Sequence, residues 1–246
     1  MGYNNLIESS ANFMKTTVIQ LLGMLCPMLL LGFQEVVSQN ETGTPSQEKT
    51  PLELLNEGNA RYQRGDILGS IKRYNAVIDK QPFSAIAFQK RGRSKRRMQN
   101  YQGALKDYEK AIQLKPNFVN AYLGKAQTYL ALQNYNNAIK TYERVIDMNP
   151  NKAYLPKIYY NRGLAHLEQK NYKEALSDFT KSIELNPKMD KAYLNRGNIY
   201  YHFNKSKKAC ADWIQAKELG NEKAKVNLER GCKWFFHGCI VLWLYC

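Results

Sequence analysis

The chain has 246 residues, of which 44% are hydrophobic and only 8 are Pro, so a largely disordered chain is excluded and one large domain or one repeat array fits the length. Its formal charge of +15 favours acidic partners, anionic membrane surfaces or nucleic acid, and is silent about fold. Tyr is abundant at 17, a residue suited to half-buried positions with the ring packed and the hydroxyl on water or a partner.

The first element in chain order is VIQLLGMLCPMLLLGF (18–33), the only apolar run in the first fifty residues, with Lys15 before it and polar sequence after it. It has the length of a signal-peptide core and is short for a bilayer span of roughly 20 residues. Val36 and Ser38 are small enough to precede a cleavage point, so residues 1–38 read as a signal peptide cut near Ser38–Gln39. An uncleaved membrane anchor is the alternative. Both readings place the remainder of the chain outside the cytosol, either exported (periplasmic, lumenal or secreted) or membrane-associated. Met14 offers a second start, giving the compact opening MKTTVIQLL. Residues 39–50 are polar and turn-rich and read as a linker.

From Pro51 the chain repeats itself. Five blocks, GNARYQRGD, GRSKRRMQN, AQTYLALQN, GLAHLEQKN and GNIYYHFNK, open on a small residue: Gly58, Gly92, Ala126, Gly163 and Gly197. Twelve residues on stands a second small residue (Ser70, Ala104, Ala138, Ala175, Ala209), and four further an aromatic (Tyr74, Tyr108, Tyr142, Phe179, Trp213). Pro82, Pro116, Pro150 and Pro187 close four units, and Gly220-Asn221 closes the fifth. This pattern resembles the tetratricopeptide repeat, with its 34-residue period, over about residues 51–223. The resemblance implies an all-α fold: a right-handed superhelical solenoid of five stacked helix-turn-helix units at 51–84, 85–118, 119–152, 156–189 and 190–223. The physics agrees. Small residues let paired helices approach, the aromatic fills the gap between units, Pro stops the second helix, and stacking makes the core continuous. Ala153 to Leu155 are extra, and should lengthen a helix end or turn and disturb the superhelix locally.

The residue before the small site is Arg91, Arg162 or Arg196, and the residue sixteen later is Asp107, Asp178 or Asp212, which predicts ion pairs inside the units. In the first unit the signs reverse, as Glu57 and Arg73. In the third, Lys125 and Thr141 break the pattern.

Residues 222–232 suit a short amphipathic capping helix bearing Ala224, Val226 and Leu228. Cys210 and Cys232 lie equally far from the turn at Asn221, so an antiparallel hairpin would set them side by side. A disulfide there is one expectation, and a buried Cys210 with a free Cys232 is the other. The final KWFFHGCIVLWLYC (233–246) is too apolar for an exposed tail and too short for a helical span, and its role stays open.

The resemblance implies that the first helices of the units line a concave groove that recognises a protein or peptide. The matching positions are Asn59, Gln63, Gln89, Arg93, Arg96, Arg97, Asn120, Gln127, Lys157, Tyr160, Glu168, Lys191, Asn198, Tyr201 and His202. The stretch KRGRSKRR (90–97) has six basic residues in eight, which suggests an acidic partner for the groove. Anion or nucleic-acid binding through the same helix is the competing reading, and export argues against nucleic acid. Some relatives clamp a C-terminal carboxylate with Lys and Asn. Here Asn161, Lys191 and Asn195 occupy matching sites, but Leu123 and Gln127 stand where Lys and Asn are needed, so no chaperone partner is expected.

No phosphate loop, His-Glu-x-x-His or nucleophile elbow is present, which points away from an enzyme. The five Cys (Cys26, Cys210, Cys232, Cys239, Cys246) form no Cys-x-x-Cys pair, and His166, His202 and His237 are scattered. Neither a metal nor a cofactor is expected.

Overall fold

Helices start where the sequence offers a capping oxygen. Thr50 forms a reciprocal capping box: its Oγ1 accepts from the Glu53 N–H, and Glu53 Oε2 accepts from the Thr50 N–H at 2.8 Å. Asp66, Ser84, Asn100 and Asn134 each accept from the N–H three residues on. In the computed structural model, which describes residues 48–232, these signals begin several of eleven α-helices, with no strand among the described residues.

The helices are α1 (Pro51–Gln63), α2 (Ile67–Lys80), α3 (Ala85–Arg97), α4 (Tyr101–Leu114), α5 (Val119–Ala131), α6 (Tyr135–Asp147), α7 (Leu155–Glu168), α8 (Tyr172–Leu185), α9 (Asp190–His202), α10 (Ser206–Glu218) and α11 (Glu222–Gly231). Consecutive helices pair as hairpins, α1 with α2 through α9 with α10, and each hairpin packs on the next. The result is an all-α helical-repeat solenoid closed by α11. The segment 1–38 expected to be a signal peptide or anchor, the expected linker up to residue 47 and the tail 233–246 lie outside the described residues. No helix among the described residues is long and apolar enough to cross a membrane.

Each hairpin turn is built alike. The N–H of Asp66, Asn100, Asn134, Asn171 and Lys205 reaches back five residues, to the carbonyls of Arg61, Lys95, Tyr129, His166 and Tyr200, at 2.8–3.0 Å. The residue before it is left-handed: Gly65, Gln99, Gln133, Lys170 and Asn204 all have positive φ. This is the six-to-one closure that satisfies the last carbonyls of the first helix. Only the first hairpin supplies the glycine that this conformation favours.

The core follows from the aromatic of each second helix. Tyr74, Tyr108, Tyr142 and Phe179 are fully buried and Trp213 nearly so. Such side chains each remove about 150–250 Å² from water, on the order of 4 kcal/mol of transfer free energy. They fit because the facing first helices lack bulk. A Cβ on Gly58 would meet Tyr74 Cε1 at 2.6 Å, and one on Gly197 would meet Trp213 Cδ1 at 2.8 Å. Gly124 does the same for a ring of the preceding unit: a Cβ there would meet Tyr108 Cε1 and Cζ at 2.4 Å. Ser70, Ala104, Ala138, Ala175 and Ala209, the second small residues, are wholly buried.

The extra residues between the third and fourth hairpins are taken up in a 3-10 turn, Lys152–Tyr154, started by Asn151 Oδ1 accepting from the Ala153 N–H. Helix α6 still packs on α7, so stacking continues through the insertion. Ser182 Oγ donates to the Pro156 carbonyl at 2.8 Å and ties α8 to the start of α7.

Four of the five hairpins carry their ion pair. Arg91, Arg162 and Arg196 each grip Asp107, Asp178 and Asp212 through two nitrogens, at 2.6–2.9 Å. Arg73 meets Glu57 at 2.9 Å. Lys125 turns to the preceding hairpin and pairs with Glu109 at 3.0 Å.

Cys210 of α10 and Cys232 after α11 are joined as a disulfide, with Cα atoms 6.0 Å apart. Both are buried beside Trp213, Leu194 and Leu228. Asn221, which caps α11, also donates from Nδ2 to Asp190 Oδ2 at 2.7 Å, fastening the cap to α9.

Candidate partner-binding groove

Neighbouring first helices touch directly, α1 with α3, α3 with α5 and α5 with α7, whereas no two second helices pack to that extent. In a curved stack the closer-spaced layer is the inner one. The first helices therefore form the inner wall, and their exposed residues face any guest.

The residues expected to line that wall differ in exposure. Gln63, Arg97, Asn120, Lys157, Lys191, Tyr201 and His202 are exposed. Arg93, Arg96, Gln127 and Tyr160 are half-buried. Gln89 is 8% exposed, so its side chain is closed off in this structure. Glu168 is exposed at the end of α7.

Several are already engaged. Asn59 accepts from the Tyr74 hydroxyl at 3.1 Å. Asn198 accepts from Trp213 Nε1 at 3.0 Å and from Asn227 Nδ2 at 2.8 Å. Tyr160 Oη accepts from Asn195 Nδ2 at 3.3 Å. His202 packs on Tyr172 and Phe203, with ring centroids 4.9 and 5.1 Å away.

The basic run of α3 divides along similar lines. Arg91 and Lys95 both pair with Asp107, at 2.7 and 2.9 Å. Arg97 donates to the Tyr62 carbonyl at 3.1 Å and lies over the Tyr62 ring. Arg93 stacks on the same ring at 4.0 Å, a cation–π contact that fixes its direction. Lys90, Arg93 and Arg96 have no carboxylate partner among the described residues. Crowding shows in Lys90, whose ammonium is held below its ordinary value by burial and then by Arg93.

Three side chains behind the wall escaped the sequence pattern. The hydroxyls of Tyr108 and Tyr142 are buried without a hydrogen-bond partner among the described residues, and so is Nδ1 of His166. Burial pushes both phenols up, and the charge of Arg96 opposes the rise in each, helped by the nearby side chain of Arg96 at Tyr108 and of Asn161 at Tyr142, neither in good hydrogen-bond geometry. The signal that could have found the two phenols is a spacing of fifteen: Asn59 serves Tyr74, and Asn198 serves Trp213, while Arg93 and Gln127 hold the equivalent place before Tyr108 and Tyr142. No group of three or more metal-ligating side chains occurs among the described residues.

Two family models of the tetratricopeptide repeat match the chain, at residues 96–155 and 156–189. Residues 96–189 of the chain thus carry tetratricopeptide repeats. Its fold resembles PilF of Pseudomonas aeruginosa, with 17% identity, a TM-score of 0.68, and 75% of this chain and 84% of that one covered. It likewise resembles MamA of Desulfovibrio magneticus RS-1, with 20% identity, a TM-score of 0.63, and coverage of 69% and 94%. A third is YrrB, described as a TPR protein with an unusual peptide-binding site, at 16% identity, a TM-score of 0.60, and coverage of 80% and 97%. No curated protein sequence matches the chain significantly. The repeat fold makes the chain a protein–protein interaction scaffold in kind, and repeat proteins of this family are in general non-enzymatic.

Proposed function

We propose that this chain is a non-enzymatic scaffold, exported or anchored outside the cytosol, that holds an acidic segment of a partner protein against the inner wall of its repeats. One observation carries the acidic character: Lys90, Arg93 and Arg96 stand on an inner-wall helix with no carboxylate opposite them among the described residues. Cations fixed by packing and left unmatched attract an anionic guest more strongly than mobile surface lysines do. The peptide-binding site named for YrrB is in line with this use of the fold. The Cys210–Cys232 disulfide supports an oxidising compartment, and the apolar run before the repeats supports export to it.

The nucleic-acid reading of the same helix is the weaker one. The Tyr62 ring is already engaged by Arg93 and Arg97, which disfavours its use as a stacking platform for a base. A pull-down from the exported fraction tests the choice. Salt-tolerant capture of one acidic protein supports the scaffold, whereas binding to generic DNA that collapses steeply with salt supports the alternative.

A further inference from the structure

Behind α3 and α5 the inner wall holds hydrogen-bond donors with nothing to receive them. The first and fifth hairpins show how the fold normally settles this. Tyr74 donates to Asn59 at 3.1 Å, and Trp213 donates to Asn198 at 3.0 Å, fifteen residues earlier in each case. In the fourth hairpin the ring is Phe179, which has nothing to donate, and the place fifteen earlier is the apolar Leu164. The second hairpin breaks the rule. Arg93 holds the place fifteen before Tyr108, and a guanidinium has donors only.

The hydroxyl of Tyr108 sits at the wall, where a Cβ on Gly124 of the next first helix would come within 2.7 Å of it. The ring is wholly buried, yet the hydroxyl has no partner, and the Nε atoms of Arg93 and Arg96 are buried and unpartnered too. Arg96, and after it Arg93, bears on Tyr108, and Arg96 and Asn161 bear on Tyr142, yet none of them makes a hydrogen bond of good geometry to either hydroxyl. Buried donors left unpaired cost roughly 1–3 kcal/mol each, so a cluster of them is an arrangement that an acceptor would relieve.

We propose that Arg93, Arg96 and the hydroxyl of Tyr108, flanked by that of Tyr142, form a site that receives one carboxylate of the guest segment, an Asp or Glu side chain reaching through the inner wall. The proposal rests on the groove reading and sharpens it to a single anchoring contact. A carboxylate has about four acceptor positions and can serve a forked guanidinium and a phenol together. Arg93 is oriented by the Tyr62 ring before the guest arrives, which lowers the ordering needed on binding.

The test uses the full chain and a capped hexaglutamate peptide, with capped hexaglutamine as the neutral control, read by calorimetry. Hexaglutamate is expected to bind and hexaglutamine not. Tyr108→Phe keeps the ring and removes only the hydroxyl, and should weaken hexaglutamate by about tenfold, as befits a hydrogen bond to a charged group. Tyr135→Phe, which removes a hydroxyl at the start of the second helix α6 and outside the site, should leave affinity unchanged. In carbon-labelled tyrosine NMR the Cζ signal of Tyr108 should shift on adding hexaglutamate. Full affinity in both Tyr108→Phe and the Arg93→Gln, Arg96→Gln double variant would overturn the site while leaving the groove reading in place. Failure of the unaltered chain to bind hexaglutamate would overturn the carboxylate site, and capture of an exported partner would then still support a scaffold. A phosphoserine peptide binding tenfold tighter than hexaglutamate would overturn the carboxylate in favour of phosphate.

Discussion

Arg162 and Asp178 stand sixteen residues apart and face each other across the fourth hairpin, Nε to Oδ2 at 2.9 Å and Nη2 to Oδ1 at 2.6 Å. The aspartate side chain is only 5% exposed, and the Arg162 guanidinium is driven still higher than usual by that hydrogen bond. The pair is a brace between the two helices, not a surface decoration.

Removing one half of a buried pair leaves a desolvated charge without its partner. Asp178→Ala should therefore cost about 2–3 kcal/mol, less than a fully buried pair because Arg162 is partly exposed. Arg162→Lys should recover only part, since an ammonium cannot make both contacts. Urea midpoints of the three proteins measure this, and equal midpoints would refute it.

Gly124→Ala sets a methyl against the rigid Tyr108 ring, with Cε1 and Cζ at 2.4 Å. Overpacking of this kind costs typically 1–3 kcal/mol. A melting temperature lower by several degrees is expected. Combining the change with Tyr108→Leu should recover part of the loss, because the smaller side chain withdraws from the methyl.

The left-handed turn residues invite the opposite kind of change. Gln99, Gln133 and Lys170 have φ of 62°, 57° and 61°, and Gly65 in the same place shows that glycine suits the turn. Replacing any of the three by Gly removes roughly 1 kcal/mol of strain, offset in part by the greater freedom of glycine when unfolded. Each single variant should be neutral to slightly more stable by thermal melting, and the three together measurably so.

Reducing the Cys210–Cys232 bond frees a loop closed over 22 residues. Chain entropy alone assigns about 3 kcal/mol to such a closure. Under reductant, or in Cys232→Ser, amide exchange in α11 should quicken by at least tenfold while α5 and α6 keep their protection. Equal exchange in both states would show that the cap is held without the bond.

Alkali should weaken the fold early. Burial raises the phenols of Tyr74, Tyr108, Tyr142 and Tyr160 above their ordinary value of 10.0. The unfolded chain ionises near 10 while the folded chain holds its protons, so the unfolded state binds fewer protons there. Stability is then complete below pH 10 and declines as pH climbs toward the folded values. Urea midpoints between about pH 9 and pH 11 should fall, and Tyr142→Phe should flatten the decline.

Much of the fold was legible because its signals are local. A period of 34 with small, aromatic and Pro positions states where helices pair and stop, and the symmetry of Cys210 and Cys232 about Asn221 follows from hairpin geometry alone. The partner of Lys125 was not legible, because Glu109 belongs to the preceding hairpin and only the lateral offset of the stack brings them together. Gly124 was missed for the same reason: it clears space for a ring from the unit before it, at a place the repeat pattern leaves free. Within the groove, the basic helix was visible as a run of charge. Which of its residues were already spent on Asp107 and the Tyr62 carbonyl required three dimensions.

The stapled cap gives this array a direction. In a stack whose units hold only their neighbours, disassembly begins at whichever end is looser. Among the described residues, the α11 end is locked by a covalent link and by Asn221 reaching to Asp190. The last hairpin therefore cannot open alone, and loosening must enter the row elsewhere than at its stapled end.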